Sequence, residues 1–318
     1  MALRPFPMKI YHSLDDFARL PYAVVTSGTF DGVHVGHQKI LKRLSEIAQR
    51  HGGETVVITF WPHPRLVLKP EDRTLKLLNT FEEKASLLKE QGIQHLLRIP
   101  FTKEFSQLSS IDFIRNILVE RIGTRKLVIG YDHRFGKNRE GSFEALLANG
   151  PAYGFDVEEI PEQDIDHIAI SSSKIRSFLE AGRATDAAHL LGRPYAITGR
   201  VIQGDKIGRT LGYPTANLEV DSQHKLIPAD GIYAVSVVQA GQKYGGMLYI
   251  GNRPTLNGTR RSIEVNIFNF EKDIYGEDIT VHFEALLRLD SRFSTLDELK
   301  RQLHDDKVAA LRILNGKA

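Results

Sequence analysis

The chain has 318 residues, 42% of them hydrophobic and 25% charged, an ordinary soluble globular composition whose length suits two domains rather than one. A formal net charge of +3 is too small to imply a nucleic-acid partner, and the absence of cysteine excludes disulfides, Cys-ligated zinc and thiol catalysis. No apolar run reaches the ~18 residues of a membrane span and the N-terminus lacks the apolar core of a signal peptide, so a cytoplasmic protein with no membrane contact is expected. Residues 1–7 carry no pattern, and Met8 is an alternative start.

The first legible element is the apolar, β-branched run Tyr22, Ala23, Val24 and Val25, which reads as a buried strand. Ile40, Leu41, Leu44, Ile47 and Ala48 then recur with helical period. The stretch between them, residues 28–37 (GTFDGVHVGH), therefore turns a strand into a helix. In an open α/β sheet such a turn lies outside the carboxyl end of a strand, and the new helix offers unpaired N–H groups and a positive dipole end that suit a phosphate. Gly28, Gly32 and Gly36 permit tight turning and close approach to a ligand, while His34 and His37, three apart, fall on one face. Zinc ligation and ordinary surface histidines are the alternatives. Zinc has no third ligand nearby at metal spacing, and the glycine frame favours phosphate. The stretch resembles the HxGH signature of the nucleotidylyltransferase superfamily, whose histidines stabilise negative charge on the α-phosphate side of ATP during in-line attack.

A second buried strand is expected over 55–60 (TVVITF), followed by Trp61, Pro62, His63 and Pro64. Two prolines stiffen this loop and hold His63 near the same sheet edge; a rigid loop with a solvent-facing histidine is the alternative. Thr80 and Glu83 form a capping box for a helix through Leu87 and Leu88. A third strand follows over 95–99, and Ser109 with Asp112 caps a helix through Ile117 and Leu118. The fourth strand, 126–130, runs into a glycine-punctuated basic loop, 131–141, that suits either a nucleotide or plain solvation. After a fifth strand over 155–160, Ser171, Ser172 and Ser173 precede Lys174 and Arg176 at a helix start. Basic residues in a first turn oppose the helix dipole, and a bound anion would remove that conflict.

Strands alternating with helices predict a Rossmann-like, doubly wound parallel sheet with both phosphate loops on one edge. The motifs at 28–37, 59–64, 130–141 and 171–176 together resemble the FMN adenylyltransferase module of the bacterial bifunctional riboflavin kinase/FAD synthetase family. The resemblance implies ATP and phosphate contacts at Gly28, Phe30, Asp31, Gly36, Asp132, Ser171, Ser172, Ser173 and Arg176, a flavin-side role for His63, and catalysis by His34 and His37. Two positions depart from the family pattern: His133 stands where a phenylalanine is usual, and Ser173 replaces the commoner threonine while keeping the oxygen.

A short helix over 184–191 is followed by Gly192, Arg193 and Pro194, beyond which the pattern changes to short strands at 195–202, 231–239, 244–250, 261–270 and 278–289. This spacing predicts a small antiparallel Greek-key barrel. A terminal helix should open at Ser294 or Thr295, with Glu298 completing a capping box, and pack through Leu296, Leu299, Leu303, Leu311 and Leu314. Residues 204–217 (GDKIGRTLGYPTAN) form a glycine-rich loop, with Gly204, Gly208 and Gly212, and then a turn fixed by Pro214. On an extended segment Thr215 and Asn217 point the same way, so both oxygens suit one Mg²⁺ that keeps some of its waters; a plain hairpin connection is the alternative. Along 262–267, Ile263, Val265 and Ile267 line one face and Glu264 with Asn266 the other, where an exposed glutamate is normally solvated. The run 199–289 resembles the riboflavin kinase module of the same family, in which the glutamate of this strand accepts the proton of the ribityl hydroxyl.

The resemblance divides the chain into 1–185, the adenylyltransferase, and 186–318, the kinase. It implies ATP as co-substrate, Mg²⁺, and riboflavin, FMN and FAD as substrates and products. Two rivals differ in class: a flavin-storage protein that has lost its chemistry, and a tRNA-handling enzyme. The intact Glu264 and histidine pair oppose the first, and the near-neutral charge opposes the second.

Overall fold

The computed structural model describes residues 7–72, 74–131, 134–161, 170–204, 207–255 and 258–316, so Asp132 and His133 lie outside the described residues. The chain separates into two compact units, Met1–Ser171 and Ser172–Ala318.

The first unit is built on six parallel strands: β1 (Lys9–Tyr11), β2 (Ala23–Ser27), β3 (Glu54–Trp61), β4 (His95–Pro100), β5 (Thr124–Gly130) and β6 (Asp156–Ile160). Their spatial order is β1-β4-β3-β2-β5-β6, so the winding reverses between β2 and β5. Ligands bind at such a switch point. The glycine-bearing turn 28–34 follows the end of β2 at Ser27, and the described part of the second glycine-bearing loop, 134–141, follows β5, which ends at Gly130. Alternate strand residues divide between two cores, as the pleat requires. Val24, Val57, Leu96 and Val128 face one, and Val25, Ile58, Leu97 and Leu127 the other. The edge strand β1 is only three residues long, too short for a periodic signal. It is pinned where Tyr11 Oη meets His95 Nδ1 at 2.9 Å, His95 Nε2 being held in turn by Glu54 at 2.9 Å.

The helices of this unit are α1 (Val35–His51), α2 (Pro64–Leu68), α3 (Phe81–Glu90), α4 (Ser110–Asp112) and α5 (Phe143–Tyr153). The capping box at Thr80 and Glu83 is present with both of its hydrogen bonds. Ser109 caps α4 as expected, but the chain then winds as a π-helix, Phe113–Ile122, whose end is closed by Gly123 N–H on the Leu118 and Val119 carbonyls.

In the second unit α6 (Ser172–Glu180) and α7 (Ala184–Leu191) precede the barrel strands β7 (Tyr195–Ile202), β8 (Ala216–Glu219), β9 (Gly231–Gln239), β10 (Gln242–Thr255), β11 (Gly258–Ile267) and β12 (Asp278–Arg288). The strands close in the order β10-β11-β8-β7-β12-β9, every pair antiparallel. A one-turn helix, α8 (Ile207–Thr210), interrupts the β7–β8 connection. The two leading helices pack on the barrel: Leu179 O accepts from Ala229 N at 3.0 Å, and Gly182 lies against Leu286. Packing thus divides the chain between Ser171 and Ser172, whereas the expected boundary at 185/186 falls at the start of α7.

The terminal helix α9 (Leu296–Leu314) is capped by Thr295, which accepts from Glu298 N, while Glu298 reaches back to Ser294 N rather than to the cap. Its packing face differs from the expected leucine stripe. Leu296 is 66% exposed and Leu311 is also exposed, and the helix docks through Leu303, Ala310, Ile313 and Leu314. Buried Asp306 sits on the same face and binds Arg288 of β12 through both carboxylate oxygens. An ion pair therefore occupies a position that periodicity assigns to an apolar side chain.

Candidate active sites

In the first unit β2 ends at Ser27 and the chain turns through residues 28–34 into α1. Gly32 has φ 87°, which glycine adopts freely, but Phe30 and Val33 also have positive φ, 47° and 38°. For a β-branched residue such as Val33 that conformation is strained. Several contacts hold it. Gln38 Nε2 donates to Val33 O at 2.9 Å, Val33 N to Phe30 O, Gly28 N to Ile58 O, and Thr59 Oγ1 to Thr29 O at 3.3 Å. The Asp31 carboxylate is 2% exposed and accepts from Leu78 N and Asn79 N, tying the turn to the loop before α3.

His34 is the N-cap of α1, its Nδ1 accepting from His37 N at 3.3 Å. The two imidazoles stack with centroids 3.6 Å apart and planes 15° from parallel, and Phe30 tilts against His37 at 5.0 Å. Gly36 is buried in the first helical turn, and a Cβ on Gly28 would press on the Phe30 ring at 3.3 Å. The structure thus brings Gly28, Phe30, Asp31, His34, Gly36 and His37 into one turn at the switch point, with two rings and a helix N-terminus side by side. A helix N-terminus flanked by imidazoles is a setting suited to an anion.

His63 caps α2 by accepting from Arg65 N at 3.2 Å. In the third motif Phe135 and Gly141 form a β-bridge, and Lys137 N donates to Leu108 O at 2.8 Å. Gly141 packs under the Phe135 ring, where a Cβ would come within 2.6 Å, so this glycine serves the loop's own fold. Ser171 closes the first unit, and Ser172, Ser173 and Arg176 lie in the first turns of α6, which opens the second.

In the second unit the glycine-rich loop is shaped by close approach. Tyr213 N donates to Gly208 O at 2.8 Å, and a Cβ on Gly208 would lie 2.3 Å from Tyr213 O and 3.3 Å from Thr215 Oγ1. Gly212 takes φ 85°, and Gly204 lies against the Asn217 side chain, where a Cβ would fall 2.1 Å from Nδ2. Pro214 O accepts from Asn266 Nδ2 at 2.7 Å, fixing the turn that offers Thr215. Asn217, on β8, is the register partner of Glu264 on β11, and Thr215 Oγ1 donates to Glu264 Oε2 at 3.3 Å.

Glu264 is 5% exposed and Asn266 is also buried, so the polar face of β11 is not the solvated one that alternation suggests. The turn at Pro214 and Thr215 bonds to both side chains of that face, Thr215 Oγ1 donating to Glu264 and Pro214 O accepting from Asn266. An open cleft of ≈ 610 Å³ adjoins, with Thr215 in its wall. Arg209, Phe270, Lys272 and Tyr275 also line it. Arg209 lies in α8 and Lys272 and Tyr275 in the connection from β11 to β12, where no period is readable, while Phe270 falls beyond the end of β11 at Ile267 although the expected strand ran to 270.

Two family models match the chain in tandem, FAD synthetase over residues 17–174 and riboflavin kinase over residues 191–314. The bifunctional riboflavin kinase/FMN adenylyltransferase of Escherichia coli (strain K12) is 37% identical over 306 residues, covering 95% of this chain and 97% of that protein. The chain belongs to the bifunctional riboflavin kinase/FMN adenylyltransferase family. The Bacillus subtilis (strain 168) member is 36% identical over 299 residues, covering 92% of this chain and 93% of its own. A crystal structure described as a macrolide-efflux protein from Streptococcus pneumoniae superimposes with a TM-score of 0.84 at 31% identity, over 95% of this chain and 98% of that one. Among the described residues no helix is long and apolar enough to cross a membrane. The order of the two family matches is that of the parallel sheet and the barrel, so the turn at 28–37 belongs to the FAD synthetase match and the Thr215–Glu264 pair to the riboflavin kinase match.

Proposed function

We propose that residues 1–185 adenylylate FMN and residues 186–318 phosphorylate riboflavin, the chain converting riboflavin first to FMN and then to FAD. The observation that supports the kinase assignment best is the burial of Glu264 beside Thr215 and opposite Asn217. Glu264 accepts the proton of the ribityl hydroxyl as that oxygen attacks the γ-phosphorus of ATP, and ADP leaves. Thr215 orients the carboxylate. Mg²⁺ fits this corner: Thr215 and Asn217 offer hard oxygens, and a magnesium ion commonly completes its shell with substrate phosphates and water. When bound, it neutralises phosphate charge.

The adenylyl step needs no protein nucleophile. A phosphate oxygen of FMN attacks the α-phosphorus of ATP, the bond to the bridging oxygen breaks, and pyrophosphate departs. His34, His37 and the N-terminus of α1 stabilise the charge at that phosphorus, with Gly28 and Gly36 allowing close approach. His63 lies on the flavin side, and Ser171, Ser172, Ser173 and Arg176 hold the β- and γ-phosphates. The substrates are small molecules, and the enzyme works in the cytoplasm without nucleic-acid or membrane partners.

Chromatography of a mixture of the purified chain, riboflavin, ATP and Mg²⁺ is expected to show FMN first and FAD later. A chain that binds flavin and yields neither product is a storage protein. Ser172→Ala or Arg176→Ala is expected to raise the KM for ATP in adenylylation by about 5- to 30-fold, the equivalent of losing ~1–2 kcal/mol of charge-assisted contact. Steady-state kinetics with ATP and FMN varied separately checks this. A change confined to the FMN constant would remove both residues from the anion site.

A further inference from the structure

The helix α3 buries Phe81, Ala85 and Leu88, and on the same stripe it buries Lys84. A lysine at a core position is costly, and packing alone would be served better by leucine or methionine. Lys84 is 2% exposed; its Nζ lies 3.4 Å from Thr59 Oγ1 and 5.2 Å from the centre of the Trp61 ring, and the charge of Asp31 acts on it. Thr59 and Asp31 are two of the groups that restrain the strained 28–34 turn, one through the Thr29 carbonyl and the other through the amides of Leu78 and Asn79. Lys84 thus meets one restraint, Thr59, directly and acts on the other, Asp31, through its charge, so it supplies positive charge that offsets a buried carboxylate next to an anion-binding loop.

We propose that Lys84 is a positioning residue for adenylyl transfer, its buried ammonium holding Asp31 and Thr59 so that the turn presents His34 and His37 in register with the α-phosphate. This rests on the assignment of that turn to the FMN adenylyltransferase site. Among the described residues, the charged and titratable groups on the surrounding elements include Asp31, His34 and His37 of the turn and the start of α1, His12 against the Phe81 ring, Arg98 on β4 and Glu83 on α3. Arg98 lies over the Phe81 ring and Glu83 caps Thr80 N, and the charge that acts on Lys84 is that of Asp31. Burial pushes the Lys84 ammonium down to about 8, against the pull of Asp31. At neutral pH the ammonium is therefore charged, and as pH rises through about 8 the proton is lost and Asp31 loses its counter-charge.

The test measures kcat and KM for FMN adenylylation across pH ~6 to ~10, with riboflavin phosphorylation by the same chain as the control. In the native chain kcat is expected to fall as pH rises through about 8. Lys84→Met should lower kcat at neutral pH by about 10- to 100-fold, the scale of a displaced catalytic group, with both KM values changed by less than about threefold. Lys84→Arg keeps the charge at every pH tested, so it should recover most of the rate and lose the alkaline decline. Riboflavin phosphorylation should be unchanged in both variants. An undiminished kcat in Lys84→Met, or an alkaline decline that survives in Lys84→Arg, overturns the proposal. A native chain that makes no FAD from FMN overturns the site assignment itself, whereas FAD formed equally by native and Lys84→Met chains overturns only the role of Lys84.

Discussion

Glu264→Gln is expected to lower riboflavin phosphorylation by about 10²- to 10⁴-fold, the scale of losing a general base, while FMN adenylylation continues at its native rate. The carboxamide has the size of the carboxylate and keeps an oxygen to accept from Thr215 Oγ1, which now stands 3.3 Å from Glu264 Oε2. It cannot take a proton at neutral pH. The swap conserves the volume of a buried side chain and opens no cavity, so folding should survive. The 28–37 turn lies in the other compact unit, so its chemistry has no reason to respond. Separate assays, one supplied with riboflavin and one with FMN, distinguish the outcomes. Loss of both activities in a folded protein, or of neither, would defeat the two-site reading.

His34→Ala combined with His37→Ala is expected to stop FAD formation while FMN accumulates, with a loss of at least about 10³-fold from removing preorganised donors at the α-phosphate. The structure adds a complication: His34 is also the N-cap of α1, and an alanine there costs ~1 kcal/mol of helix stability. His34→Asn resolves it, because asparagine keeps an acceptor for the cap but has no imidazole. The asparagine variant should melt with the native protein and still lose about 10²-fold in adenylylation. Undiminished FAD formation in the double variant, or full activity in His34→Asn, would remove the imidazoles from the chemistry and leave His34 a helix cap.

Much of the architecture was legible because local signals and tertiary structure agree. The strand–turn–helix at 22–48, the capping box at Thr80 and five of the six parallel strands follow from periodicity and cap chemistry alone. Misses occur where periodicity has too few residues to act on or where a charged pair replaces an apolar contact. The edge strand β1 and the four-residue β8, which carries Asn217, are too short to show a period. On α9 the leucine pattern suggested a seam through Leu296 and Leu311, whereas the helix turns Asp306 inward to meet Arg288.

The sequence by itself determined the two element patterns and the glycine-framed histidine pair, which rest on residue type and spacing within a short stretch, whereas Thr215, Asn217 and Glu264 stood out from a plain hairpin and a solvated glutamate only through the family resemblance. Only the tertiary structure decided that Glu264 is buried, because its environment is made by β8 and by the turn that carries Thr215, which lies 49 residues earlier in the chain. It likewise decided that Asp31 faces the amides of residues 78 and 79 and that Lys84 meets Thr59 of β3. A charged residue on an apolar stripe is visible in the sequence, but the carboxylate that acts on it is not: Asp31 of the 28–34 turn and Lys84 of α3 are 53 residues apart in the chain, and no local pattern encodes a pairing at that separation.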